Sequence, residues 1–127
     1  MTHAVFIDDD STSLMIFDNL CQEIGIRSTI LDNSKNIIDI VNSITDVDVV
    51  FIDLEMAPLN GYDILAGIRV THQDIPIIAC SVYYDEVERA QAQGFNGFIR
   101  KPIDLDKFGD QIQQIIAGEH IWQTGGE

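Results

Sequence analysis

Short apolar runs that end abruptly in charge constrain this chain more than any other feature. Ala4-Val5-Phe6-Ile7 stops at Asp8, Asp9 and Asp10. Val49-Val50-Phe51-Ile52 stops at Asp53, and Phe98-Ile99-Arg100 leads into Lys101-Pro102. A short run rich in β-branched and apolar residues reads as a buried strand. The polar residue that ends it then lies at the strand's carboxyl edge. In an open parallel sheet, ligands bind at that edge. Carboxylates gathered there repel one another unless positive charge joins them.

Between these runs the apolar residues recur at helical spacing. Leu14, Phe17, Cys21 and Ile24 predict a first helix, capped by Ser11 or a neighbour and ended by Gly25. Arg27–Leu31 reads as a strand, and Ile37, Ile40, Val41 and Ile44 as an amphipathic helix. Val47–Ile52 is the strongest strand signal, followed by a loop over Met56–Gly61 with Pro58, Asn60 and Gly61 as turn residues. Ile64, Leu65 and Ile68 mark a third helix, and Pro76 opens a strand over Ile77–Cys80. Asp85–Gln93 predicts a short helix closed by Gly94, and Gly97–Ile99 a fifth strand. Leu105, Phe108, Ile112, Ile115 and Ile116 make a last helix, with Asp104 as its expected cap. Strand and helix alternate five times, which predicts an α/β fold: a parallel sheet with helices on both faces and right-handed crossovers.

The 127 residues suit one domain with a sizeable core. Gly118–Glu127 carries no clear pattern and reads as a frayed tail or the start of a linker. Trp122, within it, is expected to cover the last helix, with docking of a partner as the alternative. His3, His72 and His120 lack ligand spacing and read as surface residues. Cys21 and Cys80 fall in apolar patterns and read as buried, reduced thiols. Met1-Thr2-His3 lacks the basic region of a secretory signal, and no apolar run approaches a membrane span, so a cytoplasmic protein is expected.

Seven basic residues face 21 acidic ones, a formal charge of −14. Direct nucleic-acid binding needs a basic patch and is disfavoured. The excess favours a divalent cation or a basic partner surface. Neighbouring strands lie about 4.8 Å apart, so Asp8, Asp9 and Asp53 can converge. Two unit charges at that range repel by roughly 3–4 kcal/mol at an effective dielectric of 20. At least one carboxylate should therefore titrate upward unless it is relieved. Magnesium, which prefers oxygen ligands, is one relief, and manganese also suits such a site. Lys101 at the fifth strand's end is another, and Ser81 after the fourth strand adds a hydroxyl donor. A carboxylate can attack a phosphoryl group to form an acyl phosphate. The charge spread over that group's equatorial oxygens is then met by metal, ammonium and hydroxyl.

At this point the residues resemble the receiver domain of bacterial response regulators. The resemblance covers about residues 3 to 118, so residues 1–118 read as the receiver domain and 119–127 as tail or linker. It rests on Phe6-Ile7-Asp8-Asp9, on Asp53 with Gly61 downstream, on Ser81 after Ile77-Ile78-Ala79-Cys80, and on Lys101-Pro102. It implies a flavodoxin-like, doubly wound (βα)5 fold with strand order 2-1-3-4-5. It also implies roles. Asp53 is the phosphoacceptor, Asp9 a direct magnesium ligand and Asp8 one acting through water. Glu55 offers its backbone carbonyl to the metal, and Ser81 meets the phosphoryl group. Lys101 is the lysine followed by a cis peptide to Pro102, and Phe98 is the aromatic switch. Asp10 is left to cap the first helix. The implied partners are a sensor histidine kinase or phosphotransfer protein, and an effector or protein partner at the fourth helix, fifth strand and fifth helix. Catalysis is confined to the protein's own phosphorylation and dephosphorylation.

The chain departs from the family pattern in places. Ala57 stands where the family usually has proline, with Pro58 next, so the loop over the site is expected to take another path. Val82 replaces a frequent alanine, and Glu55 and Tyr83 occupy positions that tune hydrolysis. Two other readings compete. Asp8-Asp9-Asp10-Ser11-Thr12 resembles the Asp-x-Asp-x-Thr motif of haloacid-dehalogenase-type phosphatases, with Asp8 as nucleophile and Asp10 as acid/base. A pseudo-receiver that binds without being phosphorylated is the third.

Overall fold

Five short strands, almost wholly apolar along the three central ones, assemble side by side in the order β2-β1-β3-β4-β5, all parallel. They are β1 (His3–Ile7), β2 (Arg27–Leu31), β3 (Val49–Asp53), β4 (Ile77–Ser81) and β5 (Gly97–Arg100). The computed structural model describes residues 2–32, 36–56 and 59–123. β1, β3 and β4 are buried along their whole length. That is why they read as unbroken apolar runs and not as alternating ones.

Among the described residues, α1 (Ser11–Glu23), α2 (Ile37–Asn42), α3 (Gly61–Arg69) and α4 (Val87–Gln93) connect the strands, and α5 (Phe108–Ile116) follows β5. Asp10 caps α1, its carboxylate accepting from Thr12 N–H at 3.1 Å and from the Ser13 hydroxyl at 3.1 Å. Asn60 caps α3 in the same way through Tyr62 and Asp63 N–H groups, both at 3.0 Å. Gly94 closes α4 at φ 106°, a left-handed conformation that glycine adopts without penalty.

α1 and α5 cover one face of the sheet, and α2, α3 and α4 the other. Under α1 and α5 lies an aromatic core. The Phe17 ring stacks on Phe6 at 4.4 Å between centroids and meets Phe51 at 5.4 Å and Phe108 at 5.5 Å. The opposite face is aliphatic, built from Ile7, Ile52, Ile64, Leu65 and Ile68 with Phe98 at one end. The fold class and strand order implied by the sequence are those observed, and both thiols are free and buried.

Several local expectations need correction. The last helix starts at Phe108, not near Leu105, and Leu105 is exposed. Asp104 accepts the Asp106 N–H into a turn ahead of α5, so it does not cap the helix itself. The predicted helix from Asp85 is split: a 3-10 turn over Tyr84–Glu86 precedes α4. Ile44 lies beyond α2. His3 is not a surface residue: it is buried, with Nδ1 3.2 Å from Asp46 and Nε2 2.6 Å from Thr29 Oγ1. His72 is half-buried, its Nε2 3.0 Å from the Val41 carbonyl, and only His120 is exposed as expected.

Trp122 does not cover α5. Ile121–Gln123 run along the outer edge of β5, where Trp122 forms a parallel bridge with Phe98 and packs into the aliphatic core on the α4 side. Arg69 was not singled out from the sequence, yet its guanidinium donates to the carbonyls of His72 at 3.1 Å and Ile75 at 2.6 Å, and to Asn96 Oδ1. It thereby ties the α3–β4 turn to the start of β5. The Ala57-Pro58 displacement lies outside the described residues.

Candidate functional site

The register of the two central strands builds the site. Ile7 pairs with Ile52, so Asp8 and Asp53 follow side by side at the carboxyl edge. Asp53 in turn pairs with Cys80, which puts Ser81 one residue further along β4. Ser81 pairs with Arg100, and Lys101 N–H donates to the Ser81 carbonyl at 2.9 Å. Four strand ends therefore deliver Asp8, Asp53, Ser81 and Lys101 to one place. Gly61 lets the chain return close to it: a Cβ there would lie 3.0 Å from the Asp53 carbonyl oxygen and 2.9 Å from Leu54 Cδ2.

Carboxylate oxygens of Asp8, Asp9 and Asp53 lie within 4.8 Å of one another. Asp8 is fully buried and Asp53 nearly so, whereas Asp9 is exposed. The Lys101 ammonium reaches between the first two, 2.7 Å from Asp8 Oδ2 and 3.5 Å from Asp53 Oδ2. The other Asp8 oxygen accepts from Asp10 N–H at 2.9 Å, and Asp53 Oδ1 accepts from Glu55 N–H at 3.1 Å. The Lys101–Pro102 peptide is cis. Three carboxylates that converge without enough cation among the protein's own groups form a donor set suited to a hard divalent ion.

The electrostatics follow. Burial, and after it the charge of Asp8, push the Asp53 carboxyl up to about 8, and Lys101 offsets this only in part. Burial alone would lower Lys101, but the hydrogen bond it donates to Asp8 and the charges of Asp53 and Asp8 outweigh it and raise the ammonium above its usual value. The sign for stability is definite. A carboxyl raised in the folded state stabilises the fold fully below its ordinary value near 3.8 and loses that contribution as pH rises through about 8. Asp53→Asn is therefore expected to raise the melting temperature at pH 9, by about 5 °C or more, and to leave it nearly unchanged at pH 3.5. Thermal denaturation of both proteins across that range, without divalent ions, checks it. A gain at pH 3.5 equal to that at pH 9 would contradict the repulsion.

Two arrangements were not legible in sequence. The Ser81 hydroxyl donates to the Glu55 carboxylate and accepts from Tyr83 N–H at 2.9 Å. The Glu55 side chain thus holds the hydroxyl, a contact between residues 26 apart that no local pattern signals. Phe98 does not line the site. Its ring is fully buried beneath it, in the aliphatic core.

The model of the response regulator receiver domain family matches residues 4–113. Response regulator SaeR of Staphylococcus aureus is 27% identical over 119 residues, 92% of this chain and 51% of that protein. The chain thus spans about half the length of the curated relatives it matches. Among solved structures, a response regulator receiver domain protein from Clostridium thermocellum superposes with a TM-score of 0.81 at 23% identity, covering 93% of this chain and 96% of that one. The receiver domain of a sensor histidine kinase from Pseudomonas aeruginosa, with a magnesium ion coordinated in its active-site cleft, gives 0.80 at 18% identity over 91% and 98%. These structural likenesses carry the fold, and the family match carries the assignment. With four strand ends converging on one acidic site and a family match across most of its length, the chain belongs to the response regulator receiver domains, the phosphoacceptor switches of two-component signalling.

Proposed function

We propose that Asp53 is the phosphoacceptor of this switch. The observation that carries the reading is the meeting of Asp53 with two further carboxylates and the Lys101 ammonium at one buried strand edge. An Asp53 oxygen attacks the phosphorus of a phosphohistidine; the P–O bond forms, the P–N bond breaks, and the imidazole leaves with the electron pair and takes up a proton. Lys101 sits where it can neutralise charge on the transferred group. Ser81 must exchange its Glu55 partner for a phosphoryl oxygen, so Glu55 opposes the phosphorylated state. Asp8, Asp9, Asp53 and the Glu55 carbonyl would hold a magnesium ion, or manganese, which when bound supplies positive charge to the phosphoryl oxygens. Hydrolysis returns the site: water attacks phosphorus and the Asp53 carboxylate leaves. The protein is a catalyst only of these steps on itself.

Receiver domains exchange phosphoryl groups with histidine kinases or phosphotransfer proteins, and such a donor is the proposed partner. Beside Lys101, an apolar cleft of about 260 Å³ is lined by Phe6, Ile16, Pro102, Ile103 and Leu105. Its exposed rim suits a donor that must bring a histidine to Asp53. The output surface is read as α4, β5 and α5, with Phe98 as the internal switch. Among the described residues no helix is long and apolar enough to cross a membrane, and the reading implies action in the cytoplasm without direct nucleic-acid contact by this domain. A dehalogenase-type reaction is not favoured: the family match is to receiver domains, and the fully buried Asp8 is the carboxylate that the Lys101 ammonium neutralises at 2.7 Å.

Intact mass after incubation with a small-molecule phosphodonor tests this. Wild type with magnesium is expected to gain the mass of one phosphoryl group. Chelation of the metal and Asp53→Asn should each remove the gain. Uptake that persists in Asp53→Asn and disappears in Asp8→Asn would overturn the assignment in favour of the dehalogenase chemistry.

A further inference from the structure

We infer that the outer edge of β5 is a strand-docking site filled by Ile121–Gln123 of the same chain, with Trp122 as anchor, and that Phe98 couples its occupancy to phosphorylation. The coupling rests on the proposed role of Asp53. The docking rests on geometry alone.

β5 is the last strand of the sheet, and an edge strand presents unpaired N–H and C=O groups. Here they are taken. Phe98 N–H donates to the Ile121 carbonyl at 2.7 Å, and Gln123 N–H donates to the Phe98 carbonyl at 3.0 Å. One step further, Arg100 N–H donates to the Gln123 side-chain carbonyl at 2.9 Å. The side chains alternate as a strand's do. Ile121 joins the core under α1 and α5, and Trp122 joins the core on the α4 side, where Phe98 lies. His120 stacks edge-on against the indole, 6.3 Å between centroids.

The partner strand is shaped to receive this segment. A Cβ at residue 97 would stand 2.8 Å from the Ile121 carbonyl oxygen, so Gly97 is what allows the approach. The same residue, Phe98, gives both its backbone groups to the segment and its ring to the core that Trp122 enters. A shift of Phe98 toward a phosphorylated site therefore cannot leave the docked segment undisturbed. Once the segment leaves, the β5 edge is open to an extended strand of another protein.

Trp122 is the sole tryptophan, so its fluorescence reads the docked state directly. The experiment pairs acrylamide quenching of Trp122 with intact mass, on the same full-chain sample, before and after a small-molecule phosphodonor with magnesium. Phosphorylation is expected to increase the quenching constant about twofold or more as the docked population falls. Gln123→Pro removes two of the edge hydrogen bonds, that from Gln123 N–H to the Phe98 carbonyl and that from Arg100 N–H to the Gln123 side chain, without touching the core, and should raise the quenching of the unphosphorylated protein toward the same value. Complete phosphorylation with unchanged quenching overturns the coupling, and unchanged quenching in Gln123→Pro overturns the docking. Quenching that rises on dilution overturns the assignment to the same chain in favour of a second copy. Absence of any mass gain in wild type overturns the Asp53 reading and the coupling with it, while the Gln123→Pro result still decides the docking.

Discussion

Lys101→Met is expected to lower the melting temperature at pH 8 by about 10 °C or more, from a loss of about 3–5 kcal/mol when a buried ion pair is broken on one side. The reason is Asp8. It has no exposure to water, and the Lys101 ammonium at 2.7 Å is its charged partner. Methionine keeps most of the apolar stem and removes the charge, so the loss reports electrostatics more than packing. Asp53, 3.5 Å from the same ammonium, loses the larger of its offsets against Asp8 at the same moment. The Asp53 carboxyl then shifts further toward the neutral form. The deficit should accordingly shrink as pH falls toward 4, and millimolar magnesium should restore part of it at pH 8. Thermal melts of wild type and variant across pH, with and without the ion, separate these effects. A deficit that does not vary with pH would assign the loss to packing.

Phe17→Ala is expected to cost about 3–5 kcal/mol, as truncations of fully buried phenylalanines do. Its ring is wholly buried and touches three others, Phe6, Phe51 and Phe108, which join α1, β1, β3 and α5. The three rings around it are also held by one another, Phe6 by Phe51 and Phe51 by Phe108, which hinders their collapse into the space. The cavity term is therefore expected near the upper end of that range. Urea denaturation measures it, and Phe17→Leu, which refills most of the volume, should recover more than half. The strand ends that carry Asp8 and Asp53 are unchanged in type, so the variant that remains folded at low temperature should still take up a phosphoryl group. A loss under 1 kcal/mol would show that the aromatic cluster is looser than its geometry implies.

Much of the fold was legible because it is written in residues that are adjacent in sequence. Ala4–Ile7 and Val49–Ile52 are too apolar and too short for anything but buried strands, and the charges that end them mark the edge where they open to solvent. Asp53, Lys101 and Ser81 could be placed from that logic alone. What escaped is what depends on distant partners. His3 is polar and near the terminus, yet Asp46 and Thr29, from the β2–β3 side of the molecule, satisfy it in the interior. The hold of Glu55 on Ser81 and the carbonyls gathered by Arg69 are contacts of single side chains across loops, invisible to periodicity. Leu105 fits a helical apolar pattern, but the turn at Asp104 places it outside the helix. Trp122 looked like part of a patternless tail because one short bridge on a sheet edge leaves almost no trace in composition.

The two ends of the sheet differ in kind. At the amino ends of the strands, Arg69 gathers the carbonyls before β4 together with Asn96 before β5, and His3 with Arg27 gathers Asp46 and Thr29 around β1 and β2. At the carboxyl ends stand like charges held by a single lysine. Ties between opposite or neutral polar groups thus hold the amino ends together, while the carboxyl ends keep a repulsion that a bound cation would relieve.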